Sequence, residues 1–327
     1  MNQQFKKVIL QSTNSESITK TEVIQELWSG YGRILRLQLN KGDHKSVVVK
    51  HIQLEEKGAH PRGWNSDLSH QRKLHSYEVE TQWYKDYAQQ CPSLARIPQC
   101  LGMDKKDGEV LIILEDLNSS GYPSRKTAVT WKDIENCLHW LANFHATFMG
   151  NNPKGLWETG TYWHLETRPE ELAALDDLPL KKVAERIDQI LKESPFQTIV
   201  HGDAKLANFC FSEDGEKVSA VDFQYVGGGC GMKDVAYFVG SCLYEEDCER
   251  YEERILDSYF QELRSALQRQ RKNVDLDALE KNWRALYPVA WTDFHRFLKG
   301  WSPDHWKINA YSERVKREVL KAVSSEQ

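Results

Sequence analysis

Several features that would mark a specialised protein are missing from this chain. No stretch of about 18 consecutive apolar residues occurs, so nothing reads as a membrane-spanning helix. The opening residues, MNQQFKKVILQSTNSES, lack the apolar segment of a secretory signal, and the expected address is the cytoplasm. Neither charge sign dominates: 43 Lys and Arg face 48 Asp and Glu, a net charge of −5. That balance offers no basic field to nucleic acid or to an anionic membrane. No C-x-x-C pair occurs among the seven cysteines, an odd number, so reduced and packed thiols are expected rather than disulfides or a zinc site. There is no internal repeat and no low-complexity linker. What remains is ordinary globular chemistry in 327 residues, 40% hydrophobic and 28% charged, enough for one large domain or two. The 11 tryptophans stand out, with several between Trp283 and Trp306.

The first third reads as strands. Ile24 to Leu39 holds two apolar stretches around a glycine-containing turn, a hairpin pattern. Ser46 to Lys50 is a short β-branched strand that ends in a lysine. A polar helix is expected over Leu74 to Ala88. Two further strands follow, Ile97 to Met103 and Glu109 to Leu114, joined by turn residues. Beyond them the chain is mainly helical. Thr130 and Asp133 form an N-terminal cap for a helix that runs to Met149, with Ile134, Leu138, Leu141, Phe144 and Phe148 at helical spacing. Another helix is expected over Leu178 to Lys192, and short strands near Phe209 to Ser212 and Val218 to Val221. The predicted fold is α+β: an antiparallel five-stranded sheet with one helix over residues 1–117, then a larger, mostly helical lobe over 118–327. The small and polar residues of Glu115 to Gly121 suit a hinge.

The strongest chemical signal is Ile199 to Phe209, IVHGDAKLANF. It sets Asp203 five residues before Asn208, the spacing of a kinase catalytic loop. Phosphoryl transfer needs a carboxylate to orient the acceptor hydroxyl and take its proton, with an oxygen ligand for Mg2+ nearby. Ser219 to Tyr225, SAVDFQY, delivers a second carboxylate, Asp222, from a short apolar strand, where it can bridge Mg2+ to phosphates. In the first lobe Lys50 ends the third strand, where a kinase puts the lysine that pairs with the α/β-phosphates, and either Glu78 or Glu80 on the next helix can orient it. Gly30 and Gly32, between the first two strands, allow backbone to approach the phosphates closely.

Together these residues resemble the kinase-like phosphotransferase superfamily of aminoglycoside phosphotransferases and choline kinases, and most of all its ecdysteroid-kinase-like branch. The matching runs are Glu80 to Tyr84, Leu114 to Leu117, Phe144 to Ala146, His201 to Asn208, Asp222 to Gln224 and Asp234 to Phe238. The resemblance implies a two-lobed protein-kinase-like fold and a cytoplasmic enzyme that moves the γ-phosphoryl group of ATP, with Mg2+, to a small-molecule hydroxyl acceptor. In it Asp203 is the base, Asn208 and Asp222 hold Mg2+, and Lys50 with Glu80 anchors phosphate. The backbone of Glu115, Asp116 and Leu117 binds adenine. His201 and Asp234 brace the loop, and Lys205 lies near the γ-phosphate. Gln224 departs from the acidic residue that choline kinases tend to carry there, and the Lys57 to His70 insertion has no counterpart in the common pattern.

Competing readings stand beside this one. A protein kinase normally carries a long segment after its metal aspartate, whereas only Phe223 to Lys233 separate Asp222 from Asp234. A nucleotide-binding pseudokinase would lack one of the catalytic positions, all of which are filled. A two-metal hydrolase would need further grouped His and Asp ligands. Among single residues, His145 reads as a core histidine, Gly227 to Gly231 as a loop, and the late aromatics as helical core or as a cage for a cationic head group. The acceptor itself and the oligomeric state leave no signature.

Overall fold

A helix absent from the sequence expectation opens the chain. In the computed structural model, which describes residues 2–27, 30–53 and 67–325, α1 spans Gln3–Ser12. Asn2 caps it, its side-chain oxygen accepting from the Phe5 amide at 2.9 Å. Phe5 and Ile9, four residues apart, point the same way and are fully buried. The strands follow as β1 (Ser17–Glu26), β2 (Gly32–Asn40), β3 (Ser46–Gln53), β4 (Cys100–Lys106) and β5 (Glu109–Glu115). They form one sheet in the order β1-β2-β3-β5-β4, with antiparallel neighbours throughout.

Side chains alternate across a strand, so β3 divides its residues between two faces. Val47 and Val49 join Leu35, Leu37, Leu111 and Ile113 beneath Phe5 and Ile9 of α1. Lys50, of opposite parity, meets Glu80 of α2 (Asp67–Asp86), so the helices cover opposite faces. Lys50 does not end its strand as the sequence suggested. β3 continues to Gln53 because Ile52 and its neighbours keep pairing with β5. The loop from Leu27 to Gly32 includes Ser29, which lies outside the described residues, as does the inserted stretch up to residue 66.

The chain forms two compact units. The first comprises Met1–Gln89, Ile97–Ser124 and Cys210–Val221; the second comprises Gln90–Arg96, Arg125–Phe209 and Asp222–Gln327. The second unit begins its helices with α3 (Trp131–Phe148), where Thr130 and Asp133 close the expected capping box. α4 (Pro169–Ala173) and α5 (Leu178–Lys192) follow, then the short strands β6 (Thr198–Val200), β7 (Phe209–Phe211), β8 (Val218–Ala220) and β9 (Gly227–Gly229), of which β7 and β8 pair with each other and fall almost wholly in the first unit. The last is the glycine run expected as a loop. It is a strand paired with β6, and its glycines let it lie against Trp157 to Gly160. A Cβ at Gly227 would fall 2.3 Å from the Trp157 carbonyl oxygen. Helices α6 (Met232–Cys242), α7 (Glu245–Arg269), α8 (Leu276–Trp301) and α9 (Ala310–Ser325) complete the unit. Trp283, Trp291, Phe294 and Tyr311 are buried among them, whereas Trp306 is 47% exposed. Among the described residues no helix is long and apolar enough to cross a membrane.

A charged cluster ties α5, α8 and α9 together. Asp177, the α5 cap, accepts from Lys299 at 2.8 Å and Lys316 at 2.7 Å, and both lysines also reach Glu313. Burial alone would raise the pKa of both acids, but these ammonium groups outweigh it and hold Asp177 and Glu313 at about 2. Depressed carboxylate values stabilise the fold above the unfolded-state pKa and stop doing so as pH falls through the folded one. His295, 3.0 Å from Glu313, is pushed down to about 4 by burial, so the fold resists protonating it too. Stability should therefore decline from about pH 6.5 and steepen between about pH 4 and 2. Acid titration followed by tryptophan fluorescence reads this directly. Asp177→Asn should flatten the steep part, and an unchanged profile would remove the cluster from the explanation.

Candidate active site

The loop after β6 is held from behind. Asp234, in the first turn of α6 and fully buried, accepts the His201 amide at 2.5 Å and the Gly202 amide at 2.9 Å. A carboxylate at a helix N-terminus also suits the helix dipole. His145 of α3 approaches the same carboxylate through Nε2 at 3.1 Å, and the Tyr259 hydroxyl lies 2.8 Å from its Nδ1. The consistent arrangement has Tyr259 donating to His145 and His145 donating to Asp234. His145 is thus a satisfied core histidine, as expected, and it also orients the group that holds the loop. Gly202 has φ 79°, and a Cβ there would fall 2.0 Å from the Tyr225 carbonyl oxygen, so only glycine fits.

His201 is fully buried, edge-on to Trp140 and 4.7 Å from the Phe223 ring centroid. Its Nδ1 accepts the Asp203 amide at 3.2 Å, which fixes the backbone turn that presents Asp203. That contact lets it position the loop. Asp203 is 5% exposed, and its two oxygens differ. Oδ2 accepts from Lys205 Nζ at 2.8 Å and from Asn208 Nδ2 at 3.0 Å. Oδ1 is buried with no hydrogen-bond partner. Burial raises the Asp203 pKa; Lys205 opposes that and Asp222 adds to it. Two aromatic hydroxyls that sequence reading missed, Tyr237 and Tyr162, border this carboxylate. Burial raises both their pKa values and the charge of Asp203 raises them further. Tyr237 stood in the run Asp234 to Phe238, but only the fold shows which way its ring turns.

Asp222 follows β8 with φ 70°, a left-handed conformation uncommon outside glycine that re-aims its side chain. Its Oδ1 accepts from Gln224 Nε2 at 2.8 Å. Gln224 therefore braces the second carboxylate where an acidic residue would repel it. The donors fit a hard cation. Asn208 uses its amide nitrogen on the Asp203 carbonyl and carboxylate, which leaves its oxygen to face a metal, and Asp222 offers carboxylate oxygen. The mutual repulsion of Asp203 and Asp222 is a second reason for a cation there. Elsewhere in this unit His164, Glu166 and Asp188 group closely, but Lys192 already pairs with both acids, at 3.0 and 2.9 Å.

Within the first unit Lys50 pairs with Glu80 at 2.6 Å, and both are buried; Glu78 is exposed and lies near His75. The Lys50 ammonium also stands 5.9 Å from the Tyr77 ring centroid. Gly30 and Gly32 both have positive φ, 78° and 125°, and close the turn by Leu27 N–H to Gly32 O at 2.8 Å. At the end of β5, Asp116 accepts from Arg36 at 2.9 Å, Ser46 at 2.7 Å and the Asn118 amide at 3.1 Å, so its side chain staples the turn. The Leu117 carbonyl accepts from Tyr122 within that turn.

A profile of the ecdysteroid kinase-like family matches residues 32–154 and 159–272. No curated protein matches. Among solved structures, a choline kinase from Cryptosporidium parvum Iowa II superposes with TM-score 0.56 at 11% identity, over 94% of this chain and 89% of that one. A microcompartment-associated aminopropanol kinase gives 0.55 at 13% identity, over 97% and 96%. The amicoumacin kinase hAmiN, solved with AMP-PNP, Ca2+ and Ami, gives 0.53 at 12% identity, over 100% and 94%. At such low identity these likenesses speak for the fold, a two-lobed kinase-like one, while the profile match covers most of the chain; the protein belongs to the ecdysteroid kinase-like family of small-molecule phosphotransferases.

Proposed function

We propose that this protein transfers the γ-phosphoryl group of Mg-ATP to a hydroxyl of a small molecule. The observation that carries the reading is the asymmetry of Asp203. One oxygen is clamped by Lys205 and Asn208, while the other is buried without a well-formed hydrogen bond, the Tyr237 hydroxyl standing beside the carboxylate, and could accept a proton from an acceptor hydroxyl. Asp203 would align that hydroxyl and take its proton. Lys205 would shield the base's charge from the incoming phosphoryl group. Lys50, held by Glu80, would neutralise the α/β-phosphates, with the backbone at Gly30 and Gly32 over them and that of Glu115 to Leu117 against adenine. Asn208 and Asp222 would hold Mg2+, which would supply charge neutralisation of the phosphates. Most of the acceleration then comes from positioning and fixed charge, as suits a loose transition state. α6 begins only ten residues after Asp222, at Met232, which favours a small acceptor over a peptide.

Thermal unfolding with and without Mg-ATP tests the nucleotide site. Ligand at 100 times Kd adds about 2.7 kcal/mol, a rise of several degrees. The rise should require Mg2+ and shrink in Asp222→Ala. No rise at millimolar Mg-ATP would overturn the proposal.

A further inference from the structure

Lys307 plays no part in the mechanism above, yet its surroundings are unusual for a lysine. It lies between α8 and α9, and its ammonium stands 5.5 Å from the Tyr237 ring centroid, 5.5 Å from Phe294 and 5.6 Å from Trp306. Three rings within about 6 Å of one cation make a cage of the kind that binds ammonium ligands. Among the described residues no carboxylate forms an ion pair with it, so the rings are its main compensation. Burial pulls its pKa down to about 8, and it senses the charges of both Lys205 and Asp203. At neutral pH it is still mostly charged.

The cage adjoins the candidate base. Tyr237 forms one wall and borders Asp203, and Tyr162 packs edge-on against Tyr237 at 5.5 Å. A second cation stands on the same side: the Arg168 guanidinium lies 5.7 Å from the Tyr162 centroid and 5.4 Å from Phe297, while the Glu171 carboxylate is ion-paired to it at 3.2 Å. An acceptor carrying its own ammonium would have to displace Lys307 from the rings or sit beside that like charge, and the carboxylate adjoining the cage, Asp203, is already paired with Lys205.

We propose that the Lys307 ammonium fills this three-ring cage beside Asp203, so that the acceptor subsite excludes ammonium-bearing alcohols and takes hydroxyl compounds without positive charge. The inference rests on the phosphotransferase reading and narrows its acceptor.

The test is a calorimetric titration of wild type, Lys307→Ala and Lys307→Ala/Trp306→Ala with tetramethylammonium and with choline. Emptying the cage should let an external ammonium enter, so Lys307→Ala should bind both probes at least tenfold more tightly than wild type, roughly what one cation–π cage contributes. Removing exposed Trp306 as well should abolish the gain. Equal affinity in wild type and Lys307→Ala would overturn the inference, as would phosphorylation of choline or ethanolamine by the wild type. Should Lys307→Ala fail to fold, Lys307→Gln keeps the stem, removes the charge and carries the same expectation. These titrations need neither nucleotide nor turnover. A failure of Mg-ATP to stabilise the wild type would sink the phosphotransferase reading while leaving the cage result to stand or fall alone.

Discussion

Asp203→Asn should lower turnover by roughly two to four decades, the usual loss when a general base is removed, and leave Mg-ATP affinity nearly unchanged. The substitution keeps the side chain's shape. With the Asn oxygen placed at Oδ2, the contacts from Lys205 and Asn208 persist. The amide nitrogen then occupies the position of Oδ1, where a donor stands in place of an acceptor. The acceptor hydroxyl loses both its alignment and the destination of its proton. Folding should not suffer, because burial already opposes the charged form of Asp203. The measurement is ADP release with an acceptor that the wild type turns over, together with nucleotide titration of both proteins. A drop in turnover with unchanged nucleotide affinity is the mark of an interaction made only in the transition state. Retained turnover would mean that another group takes the proton.

The second large effect concerns stability and involves no reacting atom. Asp234→Ala should destabilise the second unit by about 3–5 kcal/mol, since it strands two buried backbone amides and the His145 ring at once. Each buried donor left without a partner costs about 1–3 kcal/mol. Asp234→Asn should be only partly better, because its amide can accept from one of the two backbone groups while its NH2 faces the other. Urea melts followed by fluorescence check the ranking of wild type, Asn and Ala. Turnover should fall with either change, as the loop that presents Asp203 loses its anchor. An Ala variant as stable as wild type would mean that the loop is held by other contacts. His145→Phe is a useful companion: it keeps an aromatic ring against Phe144 and Trp283 and removes the polar links to Asp234 and to the Tyr259 hydroxyl.

How far these features were legible differs residue by residue. The five strands, the capping box at Thr130 and the extent of α5 followed from local pattern, because alternation, caps and helical spacing act over a few neighbours. α1 carried the same kind of signal in Phe5, Val8 and Ile9, but a short polar segment at a chain start has little weight until the sheet it covers is known. The glycine run reads locally as a loop for a related reason. Gly227 to Gly229 has no side chains to pattern, and it becomes a strand only because β6 and the backbone near Trp157 offer it partners.

The candidate site divides along the same line. The amino-acid sequence by itself determined which chemical groups are present and their order: Lys50, a glutamate on the next helix, Asp203 with Asn208 five residues on, and Asp222 beyond a short strand. Such spacings are set by loops of a few residues, so they survive in one dimension. Tertiary structure alone decided that Glu80 and not Glu78 meets Lys50, and that Gln224 braces Asp222. It also decided that Asp234 grips the loop 32 residues earlier and that Lys307 enters a ring cage built from α6, α8 and Trp306. These contacts depend on which helix faces pack together, and burial energy, which is non-directional and summed over the whole core, settles that packing without leaving a local mark on the sequence.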